Sequence, residues 1–88
     1  MKYFAAFLAM RDLEKSQSLR AQHLDFLARK EREGKIFARG RFVDGAGGLV
    51  IYTADSLEEA KKVAESDPYF IGGARTLEIH EWEMIKSG

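Results

Sequence analysis

The opening stretch of the chain reads as a strand that is apolar on both faces, and this constrains everything that follows it. Residues 2–9 (Lys-Tyr-Phe-Ala-Ala-Phe-Leu-Ala) set Tyr3, Ala5 and Phe7 on one side of an extended backbone and Phe4, Ala6 and Leu8 on the other. A sheet with one wet face alternates apolar and polar residues, so such a strand needs cover on both sides. A chain of 88 residues has room for one layer of helices, which covers one side only. The simplest cover for the other side is a second copy of the same sheet.

The remaining pattern tells which sheet this is. Residues 16–33 read as an amphipathic helix with Leu19, His23, Phe26 and Leu27 at helical spacing, and Gly34 stands where a helix commonly ends. Residues 35–43 read as a second strand, with Ile36, Ala38, Gly40 and Phe42 on one face and Phe37, Arg39, Arg41 and Val43 on the other. The run Asp44-Gly45-Ala46-Gly47-Gly48 is a turn, and residues 49–53 form a third strand. Ser56-Leu57-Glu58-Glu59 is a capping box that opens a second helix running to about Ser66. That helix is expected to bury Leu57, Ala60, Val63 and Ala64, and Asp67-Pro68 stops it. Gly72-Gly73 reads as another turn, and residues 75–85 as the last strand, with Leu77 and Ile79 on one face and His80, Trp82 and Met84 on the other. Strand, helix, strand, strand, helix, strand is the ferredoxin-like α+β plan, βαββαβ: a four-stranded antiparallel sheet with both helices on one face. We therefore expect one domain over residues 1–88, paired through its bare sheet face in a homodimer, a dimeric α+β barrel.

Composition removes several function classes. There are 14 Lys+Arg against 14 Asp+Glu, whereas a polyanion partner asks for a basic surplus, so nucleic acid is not expected. The RNA-recognition module shares this fold plan, and Arg39-Gly40-Arg41-Phe42-Val43 faintly echoes its signature. That fragment lacks the closing aromatics and falls on the wrong strand. The absence of cysteine removes disulfides, thiol nucleophiles and cysteine-held zinc. The longest apolar run, Tyr3 to Met10, is far short of the roughly 18 residues of a membrane span, and it lacks the flanks of a signal peptide. The expectation is a soluble cytoplasmic protein with no membrane partner.

Few residues are left to carry chemistry. His23 sits mid-stripe between Leu19 and Leu27, where a lone histidine is ordinarily a hydrogen-bonded core residue. His80 reads as a half-exposed sheet residue. Asp67 is the oddity: at the C-terminal end of a helix the partial negative charge disfavours a carboxylate. An aspartate there is either part of a common helix stop or set to meet an imidazole. Both helices lie on the same side of the sheet, so the plan lets His23 and Asp67 meet as an acid–base pair. No spacing fits a metal site, a phosphate-binding glycine loop or a serine elbow.

The ordered set of features resembles the YCII-related (YciI-like) family over nearly the whole chain. The features are His23-Leu24-Asp25-Phe26-Leu27, Glu33-Gly34, Gly40, Gly47-Gly48-Leu49-Val50-Ile51, Ser56-Leu57-Glu58-Glu59-Ala60, Asp67-Pro68-Tyr69, Gly73 and Trp82. The resemblance implies the same dimeric ferredoxin-like barrel. It also implies an active site on His23 and Asp67, with Tyr69 lining the pocket and Gly40, Arg41 and Phe42 contributing to substrate binding. The family often has proline after the strand-two glycine; Arg41 stands there instead and brings a cation to the pocket wall. Where the family has a known activity, it is dehydrochlorination of a chlorinated hydroxyhydroquinone, and its fold is similar to that of muconolactone isomerases and small quinone-forming monooxygenases. The expected function is a cofactor-independent lyase or isomerase acting on a small oxygenated aromatic or quinonoid molecule. The alternative is a non-catalytic homodimer, binding a small ligand or purely structural, in which His23 and Asp67 tie two helices together.

Overall fold

A computed structural model describes residues 1–88. The elements are β1 (Lys2–Met10), α1 (Leu13–Arg32), β2 (Ile36–Arg41), β3 (Gly47–Ala54), α2 (Leu57–Ala64), α3 (Pro68–Ile71) and β4 (Arg75–Trp82). The strands form one antiparallel sheet in the order β2-β3-β1-β4. This is the expected ferredoxin-like arrangement with one short helix added before the last strand.

β1 is central, paired with β3 on one side and β4 on the other. Its alternation decides the layers. Phe4, Ala6 and Leu8 are wholly buried beneath the helices, together with Val50 and Tyr52 of β3. Phe26 and Leu27 of α1 and Ala60 and Ala64 of α2 close this core. Each fully buried Phe or Leu contributes roughly 1.5–3 kcal/mol, so this one face holds the fold together. The opposite face carries Tyr3 and Phe7 of β1, which meet Phe37 and Phe42 edge to face at centroid distances of 5.1 and 5.6 Å. Phe37, Phe42 and Trp82 remain exposed on the single chain.

Several boundaries differ from expectation, each for a local reason. α1 starts at Leu13 rather than residue 16, because the Asp12 side chain caps it, accepting the Lys15 N–H at 3.0 Å. Its first turn carries no apolar stripe, since Leu13 faces solvent. The strand expected over residues 35–43 is shorter and contains a bulge: Ile36 pairs with Tyr52, but Ala38 pairs with Ile51. The extra residue, Phe37, splits the expected face. Ile36 packs on the core under the helices, whereas Ala38 and Gly40 lie on the aromatic side. Leu57 is exposed rather than buried, because α2 turns Ala60 and Ala64 to the sheet. β4 ends at Trp82, leaving Met84 beyond it.

Gly47 marks a tight spot. Its φ is +134°, and a Cβ there would run into the backbone carbonyl of Leu8 on the neighbouring strand. Only glycine lets the β2–β3 turn close this tightly onto β1.

Candidate active site

Asp67 is not at the end of the second helix. α2 ends at Ala64, and Asp67 is the N-cap of α3, with Pro68 at that helix's first position. The Asp67 Oδ1 accepts the Tyr69 backbone N–H at 2.9 Å. A carboxylate suits this terminus, and proline at the first helical position needs no donor there. The Asp-Pro pair thus starts a helix as well as following one.

The helix it starts brings the site together. α1 turns His23 into the core side, and α3 presents Asp67 and Tyr69 to it. His23 Nδ1 lies 2.8 Å from Asp67 Oδ1 and 2.9 Å from Oδ2. Asp67 is 0% exposed and His23 8%. Facing two carboxylate oxygens, Nδ1 must carry its hydrogen and donate it. Nε2 is then the ring nitrogen without a partner in the chain. The Tyr69 ring stacks on the imidazole, 3.9 Å between centroids and 14° between planes. The Arg75 guanidinium carbon sits 4.3 Å from the centroid of the same Tyr69 ring. Arg75 Nε donates to Ser16 Oγ at 3.0 Å, and Ser16 donates to the Ala74 carbonyl at 3.4 Å. The imidazole is therefore fixed in plane by the carboxylate, on its face by Tyr69, and Tyr69 by Arg75.

A cavity of about 420 Å³ opens against this group, within the size range of small-molecule sites. His23 and Tyr69 line it, as do Gly40, Arg41 and Phe42. Asp67 lies behind His23 and does not form part of the wall. Across the β2–β3 ladder, Arg41 pairs with Gly48, which has no side chain to fill the floor. The wall also holds Arg20, Arg75 and Ser16, which the sequence pattern did not single out. Arg20 precedes His23 by three residues and so shares its helix face. Arg75 lies on the same side of β4 as Leu77 and Ile79.

Tyr52 stands out on the core side. Its hydroxyl is buried and makes no hydrogen bond. Burial, and secondarily the charge of Asp67, push its ionisation well above the ordinary tyrosine range, so it stays neutral. His80, by contrast, is on the aromatic side of the sheet, in the open, with Nε2 2.7 Å from Glu78 Oε2.

Comparison with known proteins bears on this arrangement. The family model of the YCII-related domain matches residues 1–83. The chain is 37% identical over 84 residues to the uncharacterized protein YjpA of Bacillus subtilis (strain 168), covering 96% of this chain and 99% of that one. Its structure is similar to that of 5-chloro-2-hydroxyhydroquinone dehydrochlorinase (TftG) from Burkholderia phenoliruptrix AC1100 in complex with 2,5-dihydroxybenzoquinone. The TM-score is 0.79 at 22% identity, over 92% of this chain and 93% of the other, which demonstrates a shared fold. From the family match over nearly its full length and the homologous Bacillus protein, the chain belongs to the YCII-related family.

Proposed function

We propose that the protein is a cofactor-independent acid–base enzyme acting on a small oxygenated ring compound, as a lyase of the dehydrochlorinase type or an isomerase. One observation carries this reading. A histidine whose Nδ1 is gripped by both oxygens of a fully buried aspartate, and whose other nitrogen has no partner in the chain, lines a cavity of ligand size. His23 Nε2 takes a proton from the substrate, and Asp67 holds the tautomer and balances the imidazolium that forms. In a dehydrochlorination of such a ring, the carbon that bears chlorine first takes a proton as the keto tautomer forms. Nε2 then removes a hydroxyl proton, the O–H pair becomes a carbonyl, the ring double bond shifts, and chloride leaves with the C–Cl pair. In an isomerisation, His23 returns the same proton at another carbon. Tyr69, Gly40, Arg41 and Phe42 line the binding space. The similar dehydrochlorinase, bound to a dihydroxybenzoquinone, supports the choice of substrate class.

The reading is tested by chloride release from 5-chloro-2-hydroxyhydroquinone and by proton exchange on hydroxyquinones and muconolactones. His23→Asn is expected to fold as wild type and lose at least about a hundredfold in rate. The rival reading, a structural tie, takes its support from the fact that the pair joins α1 to α3. It predicts that His23→Asn lowers stability while no compound in the panel turns over.

The aromatic side of the sheet belongs to the same proposal. Phe37, Phe42 and Trp82 are 47%, 38% and 44% exposed on the face of the sheet that the helices leave uncovered. A second copy packed there makes the homodimer, and Phe42 belongs both to that face and to the cavity wall. Sedimentation of wild type against Phe7→Glu checks this: the wild type runs as a dimer and the variant as a monomer.

A further inference from the structure

We infer that the molecule taken by this cavity is a flat, delocalised oxyanion, and that Arg41 and Arg20 select its charge. The inference deepens the reading of the cavity as a substrate site and rests on it. The chain as a whole is neutral, with 14 basic and 14 acidic residues. The cavity wall is not: it holds Arg20, Arg39, Arg41 and Arg75 and no aspartate or glutamate. Asp67, behind His23, is already engaged by the imidazole and the Tyr69 N–H, and Glu31 by Arg39.

Two of the four arginines are occupied. Arg39 donates from Nε to Glu31 at 2.8 Å and from Nη2 at 3.3 Å. Arg75 is held by Ser16 and lies over Tyr69. Arg20 and Arg41 have no acceptor in the chain, and they reach the cavity from different elements, α1 and β2. Like charges gathered on a concave, partly apolar wall repel one another and focus a positive potential, and an anion between them relieves both effects. Arg41 faces only Gly48 across the ladder, so no cross-strand side chain screens it. Arg20 is one helical turn from His23, so its charge and the free Nε2 serve the same space. Phe42 gives the wall a flat apolar surface suited to a planar ring. An ionised hydroxyquinone and a ring carboxylate share this chemistry. The same cations also favour the enolate oxygen that forms when Nε2 removes a proton.

The test uses calorimetric binding with two matched pairs on the full-length protein. One pair is 2,5-dihydroxybenzoquinone and its neutral 2,5-dimethoxy analogue; the other is benzoate and benzamide. The anion of at least one pair is expected to bind about tenfold or more tightly than its neutral partner. Arg41→Gln and Arg20→Gln are each expected to weaken the anion about tenfold and leave the neutral partner unchanged, and added salt weakens the anion alone. The pair that shows the preference says whether the charge is a quinone oxyanion or a carboxylate. Equal or better binding of the neutral partners overturns the inference. So does an anion affinity untouched by both arginine variants, or a failure of both anions to bind at millimolar concentration. Arginine-dependent anion binding, with turnover indifferent to His23→Asn, instead leaves charge selection standing and removes the catalytic reading.

Discussion

The chain has two histidines, and each is paired with a carboxylate at nearly the same distance: 2.8 Å for His23–Asp67 and 2.7 Å for His80–Glu78. Everything else about them differs. The His23 and Asp67 side chains are 11% and 0% exposed, those of His80 and Glu78 69% and 68%. The buried aspartate is locked by a helix cap on one side and an imidazole on the other. Glu78 holds His80 two residues along the same strand, where water competes for both groups. Exposed pairs of this kind contribute little, because solvent screens them and ordering two side chains costs entropy. The contact distance alone therefore does not tell the two histidines apart. Burial, a fixed ring orientation and an adjoining cavity make the difference.

The largest break in this comparison is expected from Asp67→Ala. It removes a helix cap and strands a buried imidazole, at a cost of about 2–4 kcal/mol in chemical denaturation. The matching Glu78→Ala is expected to leave the midpoint in place.

Asp67→Asn sharpens the contrast at constant shape. The amide oxygen still caps the Tyr69 N–H, but its NH₂ donates to His23 Nδ1 and moves the ring hydrogen to Nε2. The fold is expected to persist while the rate falls by about 10²–10⁴, since the nitrogen at the cavity no longer accepts a proton. Glu78→Gln is expected to change neither.

A smaller effect is expected from the hydroxyl that neighbours the buried pair. Tyr52→Phe deletes a buried group with no partner, so stability at neutral pH is unchanged or raised by up to about 1 kcal/mol. Its pH dependence has a definite sign. The Tyr52 ionisation is raised above the ordinary value of 10.0 by burial and by Asp67. Its contribution is therefore fully present below that value and is lost as pH climbs above it. Alkaline unfolding curves should fall in wild type above that point and flatten in Tyr52→Phe.

The smallest effect is expected from His80→Asn. Both stability and rate should stay at wild-type values, with any stability change within about 0.5 kcal/mol.

The sequence showed through β1, apolar on both faces, that the sheet needs cover on both sides, but not that Phe4, Ala6 and Leu8 are the set under the helices. The capping box was legible too, and Ser56 does accept the Glu59 N–H. The third helix was not. Four residues are too few to show a period, and Asp-Pro has the same letters whether it ends one helix or begins the next. The pairing of His23 with Asp67 could be anticipated from the plan, but the stacking of Tyr69 and the cap on its N–H follow from that unseen helix. The side of the sheet on which Arg39 and Arg41 lie was obscured by the bulge. A single inserted residue leaves no mark in composition, yet it shifts the face on which every residue before it falls. It brings Ile36 to the side of Arg39 and Arg41, under the helices, where strict alternation had set them apart.

The most direct test of the His23 site follows the two imidazole nitrogens of His23 by ¹⁵N NMR while 2,5-dihydroxybenzoquinone is added, with His80 as the internal control. The account predicts that His23 Nε2 moves with ligand, that Nδ1 keeps its hydrogen bond, that His80 is still, and that Asp67→Asn abolishes the response. Nε2 resonances that do not respond to bound ligand, or a response confined to His80, would contradict it.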